Sequence, residues 1–270
     1  MQLQFRQKAL SKLQSPEELD VPVRFARPQG RLVLAVTAVV MAAACFWAVT
    51  GSVASELSAP GILTHAEGSY VLQSPVAGQV TAVLSKEGEL LPGGAPLLTV
   101  RTEQRTETVR TVAAGRVTAL LAKIGAVVAT GADLATVERI DRPDDPLVAV
   151  LYAPGGNGST IPVGSPVDLT VQSVPAQQFG VLRGHVLAVG RVPETRQQIA
   201  GFLGDSQLGE QFSAQGQPVA VVVQLDKSAG TKSGYAWSSA SGPPYAIGST
   251  TLVSGAIHLA AQHPIDWVLP

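Results

Sequence analysis

The chain has 270 residues, a net charge of −1, 14% charged residues and a single cysteine. That length allows one or two domains, and so even a charge balance excludes a nucleic-acid-binding protein. Cys45 lies in an apolar stretch, so the rest of the chain must fold on an ordinary apolar core without a disulfide.

Residues 1–31 make a polar tail. "SPEE" at Ser15–Glu18 reads as a helix start, with Ser15 as N-cap, Pro16 in the first turn and Glu18 reaching back. Leu3, Leu10 and Leu13 share a helical face beside Lys8 and Lys12, which suits a short helix on anionic membrane lipid; a solvated tail is the alternative. Leu32–Ser55 then carries no charge. As a helix it would span about 36 Å, enough for a hydrocarbon core of about 30 Å, so a transmembrane helix is expected at 32–55. Arg6, Lys8, Lys12, Arg24, Arg27 and Arg31 precede it, and no Lys or Arg follows until Lys86. The positive-inside rule therefore puts the N-terminus in the cytoplasm and the C-terminal domains outside it, with a single pass through the inner (plasma) membrane. A cleaved signal peptide would have a shorter basic region and a shorter apolar core.

Beyond the anchor, short Val/Leu/Thr runs bounded by Gly or Pro predict a mainly β protein, sandwich or barrel. The expected order is one β-domain over 56–140, a charged, proline-broken linker "DRPDDP" at 141–146, and a second β-domain over 147–270. One short amphipathic helix is expected near 193–211, interrupted at Gly201 and Gly204.

Within the first β-domain the sequence repeats. Residues 74–100 and 111–137 align without a gap at an offset of 37, with 13 of 27 positions identical. Val80, Ala82 and Leu84 alternate, as do Val117, Ala119 and Leu121, so each copy should present one apolar strand face. Gly78, Gly88 and Gly94, with Gly115, Gly125 and Gly131, are expected as structural turn glycines. Neither copy can bury a face alone; two packed about a pseudo-twofold axis can.

"SPVAGQVTAVLSKEGELLPGGAPLLTV" resembles the half-motif of the biotinyl/lipoyl fold, G-x-V, then G-[DE]-x-V, then G-x-x-L. Here these are Gly78-Gln79-Val80, Gly88-Glu89-Leu90-Leu91 and Gly94-Ala95-Pro96-Leu97; the second half departs at Ala126 and Asp133 but keeps all three glycines. The resemblance implies a barrel-sandwich domain followed by a β-barrel. Carrier domains of this fold present a lysine at the joint between halves, which receives biotin or lipoate. The joint here, "RTEQRTETVR" at Arg101–Arg110, has none, and arginine stays protonated and cannot be acylated. Lys86 and Lys123 sit at equivalent inner turns, away from the joint, as solvated lysines. The charges Arg101, Glu103, Arg105 and Glu107 alternate as in a strand pair, not with the heptad period of a coiled coil.

The wider chain is similar to membrane fusion proteins (periplasmic adaptors) of the hemolysin-secretion (HlyD) type, in particular the secretion protein of NHLM bacteriocin systems. The similarity rests on "FRQKALSKLQSPEELD", "IPVGSPVDLTVQSVPAQQFGVLRGHVLAVG", "SGYAWSSASGPP" and "HPIDWVLP". It implies a non-catalytic accessory subunit without cofactors, working with an inner-membrane ABC transporter of leader-bearing peptides. Expected partners also include copies of itself in a ring and an outer-membrane or stalk component that replaces the adaptors' missing coiled-coil hairpin. The alternatives are a biotin or lipoate carrier subunit and an anchored extracytoplasmic binding or sensor module.

No catalytic or metal motif competes with this reading. His65, His185, His258 and His263 stand in unrelated segments without ligand spacing, and read as surface or strand-edge histidines. "YAPGGNGST" at Tyr152–Thr160 lacks the Lys-Ser/Thr ending of a phosphate loop. Asp141, Asp144 and Asp145 suit the solvated linker, and no G-x-S-x-G elbow occurs. Tyr235, Trp237 and Tyr245, with Pro243 and Pro244, form one aromatic cluster, a candidate contact surface or a packed strand edge.

Overall fold

The computed structural model describes residues 28–53, 55–142 and 145–260. The expected tail helix at Ser15, the closing "HPIDWVLP" with His263, and the middle of the linker lie outside the described residues. Helix α1 and the β-strands belong to separate compact units.

Helix α1 spans Pro28–Thr50, with proline in the first turn, where its missing N–H costs nothing. Its large apolar side chains are exposed, among them Leu34, Val39, Met41, Phe46 and Trp47. The hydroxyls of Thr37 and Thr50 donate back to Val33 O (2.9 Å) and Phe46 O (2.7 Å), so neither needs water. Gly30–Thr50 is long and apolar enough to cross a membrane. The helix stops earlier than the uncharged run does, at Thr50, where Gly51 follows.

Eight strands form the sandwich: β2 (Ser69–Gln73), β3 (Gly78–Val83), β4 (Leu90–Leu91), β5 (Pro96–Arg101), β6 (Thr106–Arg110), β7 (Gly115–Leu120), β8 (Val127–Val128) and β9 (Asp133–Arg139). Moved by the repeat offset of 37, the bounds of β2, β3 and β4 become those of β6, β7 and β8, and β5 falls on β9. The two sheets run β2-β9-β7-β4 and β6-β5-β3-β8, so each is woven from both halves. Exchanging the halves exchanges the sheets, which is the expected pseudo-twofold. The core is written twice as well: Leu72 with Val109, Val80 with Val117, Leu91 with Val128, and Leu97 with Leu134 are all buried.

The expected alternation stops halfway along the strand. A register shift falls between Val80 and Ala82 and again between Val117 and Ala119. The extra residue, Thr81 or Thr118, is a β-bulge that turns the following side chains over. Leu84 and Leu121 are therefore exposed rather than buried. Each bulged threonine hydroxyl meets the neighbouring strand, Thr81 Oγ1 at 2.8 Å from Thr99 Oγ1 and Thr118 Oγ1 donating to Thr136 O at 3.1 Å.

Four of the six glycines are turn residues: Gly88, Gly94, Gly125 and Gly131 have φ of 83°, 80°, 91° and 82°. Gly78 and Gly115 are not. They open strands β3 and β7, where a Cβ would stand 2.2 Å from Arg101 O and Glu138 O respectively. Close strand approach, not turn geometry, requires them.

The second body is a closed barrel in the order β1-β10-β13-β12-β11-β14. Its strands are β1 (Glu56–His65), β10 (Leu147–Pro154), β11 (Pro166–Val171), β12 (Leu182–Val189), β13 (Pro218–Leu225) and β14 (Thr251–His258). Strand β1, expected in the first β-domain, thus belongs to the barrel, paired with both β10 and β14. Leu151 fills space left by Gly61 and Gly255, where a Cβ would lie 2.7 Å from its Cδ2 and 2.3 Å from its Cδ1. Strand β10 is buried on both faces, which explains its unbroken apolar run. Leu147, Ala149 and Leu151 face the barrel interior, while Val148, Val150 and Tyr152 pack under a helix pair.

A one-turn helix α2 (Ala176–Phe179) links β11 to β12, and the pair between β12 and β13 is α3 (Arg196–Leu203) and α4 (Ser206–Phe212). Two helices therefore stand where one was expected. Thr195 and Gln198 form a reciprocal capping box at the start of α3. Gly204 ends it with φ 68°, and Asp205 restarts the chain by accepting from Gln207 N and Leu208 N. Gly201 stays helical. The pair buries Ile199, Leu203 and Phe212 on the barrel wall.

Candidate functional site: the junction of sandwich and barrel

Sandwich and barrel meet at Glu138, near the end of β9, whose side chain is wholly buried. Its Oε1 accepts from the Thr64 hydroxyl (3.2 Å) and the His65 main-chain N–H (3.1 Å), both on β1. Its Oε2 accepts from the Ser249 hydroxyl (2.5 Å), just before β14. His65 Nδ1 also lies 2.9 Å from Oε1 as an ion-pair contact. Burial alone would push this carboxyl up, but the bonds from His65 and Ser249 and the charge of His65 outweigh it and hold Glu138 below its ordinary value. Serine and histidine both address the carboxylate, so the cluster ties one body to the other rather than activating a nucleophile.

A second brace is the corner between α3 and α4. A Cβ on Gly204 would lie 2.7 Å from Thr136 Cγ2 on β9 and 3.2 Å from Ser69 Cβ on β2, so the corner rests directly on the sandwich. The same helices cover β10 of the barrel. An exposed ion pair between Arg139 and Glu67 (2.9 Å) adds little.

At the joint, β5 and β6 form a hairpin closed by Thr102–Arg105. Thr102 N donates to Arg105 O (2.8 Å), and the Thr102 hydroxyl accepts from Arg105 N (3.0 Å). Arg105 pairs with Glu107 in solvent. Lys86 and Lys123 are exposed at matching turns, as read from the repeat.

The aromatic cluster divides. Trp237 is buried in the barrel core, its indole N–H donating to Ser233 Oγ at 2.9 Å. Tyr235 packs beside it, and its hydroxyl accepts from Leu147 N at 3.2 Å. Only Tyr245 is exposed, so the three do not share one contact face. Trp237→Ala is expected to cost about 4 kcal/mol in denaturant unfolding, whereas Tyr245→Ala should stay within about 0.5 kcal/mol.

The histidines have separate fates. His65 joins the junction; His185 meets Asp226 (2.8 Å); His258 sits between Glu56 (3.2 Å) and Asp168 (3.1 Å) on the barrel surface. Among the described residues, no three His, Cys, Asp or Glu side chains form a group that could hold a metal ion. Asp145 accepts from the N–H groups of Asp141 and Arg142, both at 3.1 Å. Sequence reasoning missed Glu138. The available signal was its place in the repeat, where it stands opposite Arg101 of the first copy.

No family model matches the chain, and no curated protein is similar to it in sequence. Solved structures are similar in shape. ZneB from Cupriavidus metallidurans superposes over 77% of this chain and 100% of its own, at 11% identity and a TM-score of 0.51. MacA from Actinobacillus actinomycetemcomitans covers 79% of this chain and 81% of its own, at 9% identity and 0.52. The chain shares their fold. The membrane fusion protein Spr0693 from Streptococcus pneumoniae R6 is a more distant likeness, over 74% of this chain and 98% of its own, at 9% identity and 0.42.

Proposed function

We propose that the chain is a membrane-anchored, non-catalytic adaptor subunit that assists an inner-membrane ABC exporter of leader-bearing peptides. The observation that carries this reading is an interwoven lipoyl-like sandwich and a six-stranded barrel in one chain, behind a helix able to cross a membrane. The shared fold with ZneB and MacA supports it, and the segments resembling NHLM secretion proteins narrow the cargo. The basic residues before α1 orient it with the β-domains outside the cytoplasm. With only Thr102–Arg105 between the halves, any long stalk in the machine is a separate protein. Copies of the chain would stand side by side around the exit as a ring.

Two measurements test the reading. The full chain, extracted from its membrane in mild detergent, should co-purify with an ATP-binding permease, and its deletion should stop peptide export. A chain that purifies alone, with export intact after deletion, removes the proposal. Intact-mass analysis should show no biotin or lipoate adduct, since the joint has no lysine to carry one; an adduct would make the chain a carrier subunit instead.

A further inference from the structure

Beneath α3, on the outer wall of the barrel, lies a cavity of about 210 Å³. Its floor is the outward face of β10 and β13, with Val148, Val150, Ala220 and Val222, and its other walls include Ala66 and Phe202. Two polar groups interrupt this apolar lining. Tyr152 is 2% exposed, its ring stacked on Phe212 at 4.7 Å between centroids, and its buried hydroxyl has no hydrogen-bond partner. Glu194, just before α3, is half-buried, and its carboxyl makes no hydrogen bond or ion pair with any described residue. Its main chain is fixed, the N–H donating to Pro218 O at 2.7 Å, so the side chain is held over the cavity edge.

A half-buried carboxylate at the rim of an apolar cavity whose wall also holds a buried, unbonded hydroxyl calls for a donor. The arrangement has the form of small-molecule sites, apolar walls with a few convergent polar groups. The charge that suits it is positive: Glu194 lacks a cation partner, and the aromatic side chains of Tyr152 and Phe202 line the same cavity. Apolar walls on the remaining sides call for an apolar body on that cation. Burial raises the Glu194 carboxyl above its ordinary value, and burial with the Glu194 charge raises Tyr152, as expected where no partner is present.

We propose that this cavity binds a small apolar amine, its ammonium donating to Glu194, with Tyr152 beside it and the hydrocarbon body over Val148, Val150 and Val222. The site does not depend on the adaptor reading, because it is argued only from the cavity lining on β10, β13, the helix that covers them and the adjoining loops.

The test is calorimetric titration of 2-phenylethylamine into the full chain in nanodiscs, with empty nanodiscs and neutral 2-phenylethanol as controls. Saturable binding of the amine is expected, with the alcohol and the Glu194→Gln variant each about tenfold weaker. Ala220→Phe, which fills the floor, should abolish binding; thermal unfolding of both variants confirms that they fold. Equal affinity for amine and alcohol, an unaffected Glu194→Gln or Ala220→Phe variant, or a signal no larger than that of empty nanodiscs overturns the proposal.

Discussion

Replacing Glu138 with alanine should lower the stability of the β-body by about 3 kcal/mol, measured by urea unfolding of the full chain. The variant leaves the Thr64 and Ser249 hydroxyls and the His65 N–H without their acceptor, where sandwich and barrel meet. Because His65 and Glu138 act as a pair, a cycle with His65→Leu should show coupling of about 1 kcal/mol or more; strict additivity would count against the tie. The effect has a defined pH dependence. The folded carboxyl titrates below its ordinary 4.5, because the bonds and charge of His65 and the Ser249 hydroxyl outweigh the opposing effect of burial. Its stabilisation is therefore complete above that ordinary value and drains away as pH falls through the lower folded value. The gap between native chain and Glu138→Ala should be widest at neutral pH and close on strong acidification.

The second large effect concerns glycines that a repeat makes look alike. Gly78→Ala and Gly115→Ala should each cost about 3 kcal/mol, since the new Cβ would stand 2.2 Å from a carbonyl oxygen of the adjacent strand and 2.9 Å from Cγ1 of Val100 or Val137. Gly88→Ala and Gly125→Ala meet open space and carry only the penalty of a left-handed backbone, about 1 kcal/mol. Thermal unfolding of the four single variants checks the order. If all four melted together, close approach at β3 and β7 would not be the constraint.

The interwoven sandwich was legible because duplication leaves a trace that a single strand does not: glycines and buried apolar residues recur at one interval, and only mutual packing makes use of both sets. The barrel was legible as strands but not as a partition. Strand β1 pairs with β10 and β14, from which it is separated by the entire sandwich, and local alternation carries no record of such distant partners. The bulges at Thr81 and Thr118 misled for another reason. A side-chain pattern of period two looks the same whether or not one residue is extra, so Leu84 and Leu121 read as core when they face solvent. Likewise Glu138, Thr64 and Ser249 mean nothing singly, and become a tie only when three distant strand ends converge. Trp237 looked available for a partner because aromatic residues among prolines suit both a surface and a core; the Ser233 hydroxyl under its indole decides for the core.

The hairpin tip at Thr102–Arg105 has one more implication. Arg105 is 74% exposed at the side chain, a natural target for trypsin, and a cut there would sever the chain between its two halves. Yet each half supplies two strands to either sheet, so the fragments stay clasped like linked hands. Nicked protein should run as two pieces only after denaturation, and renaturing either piece alone should yield nothing folded.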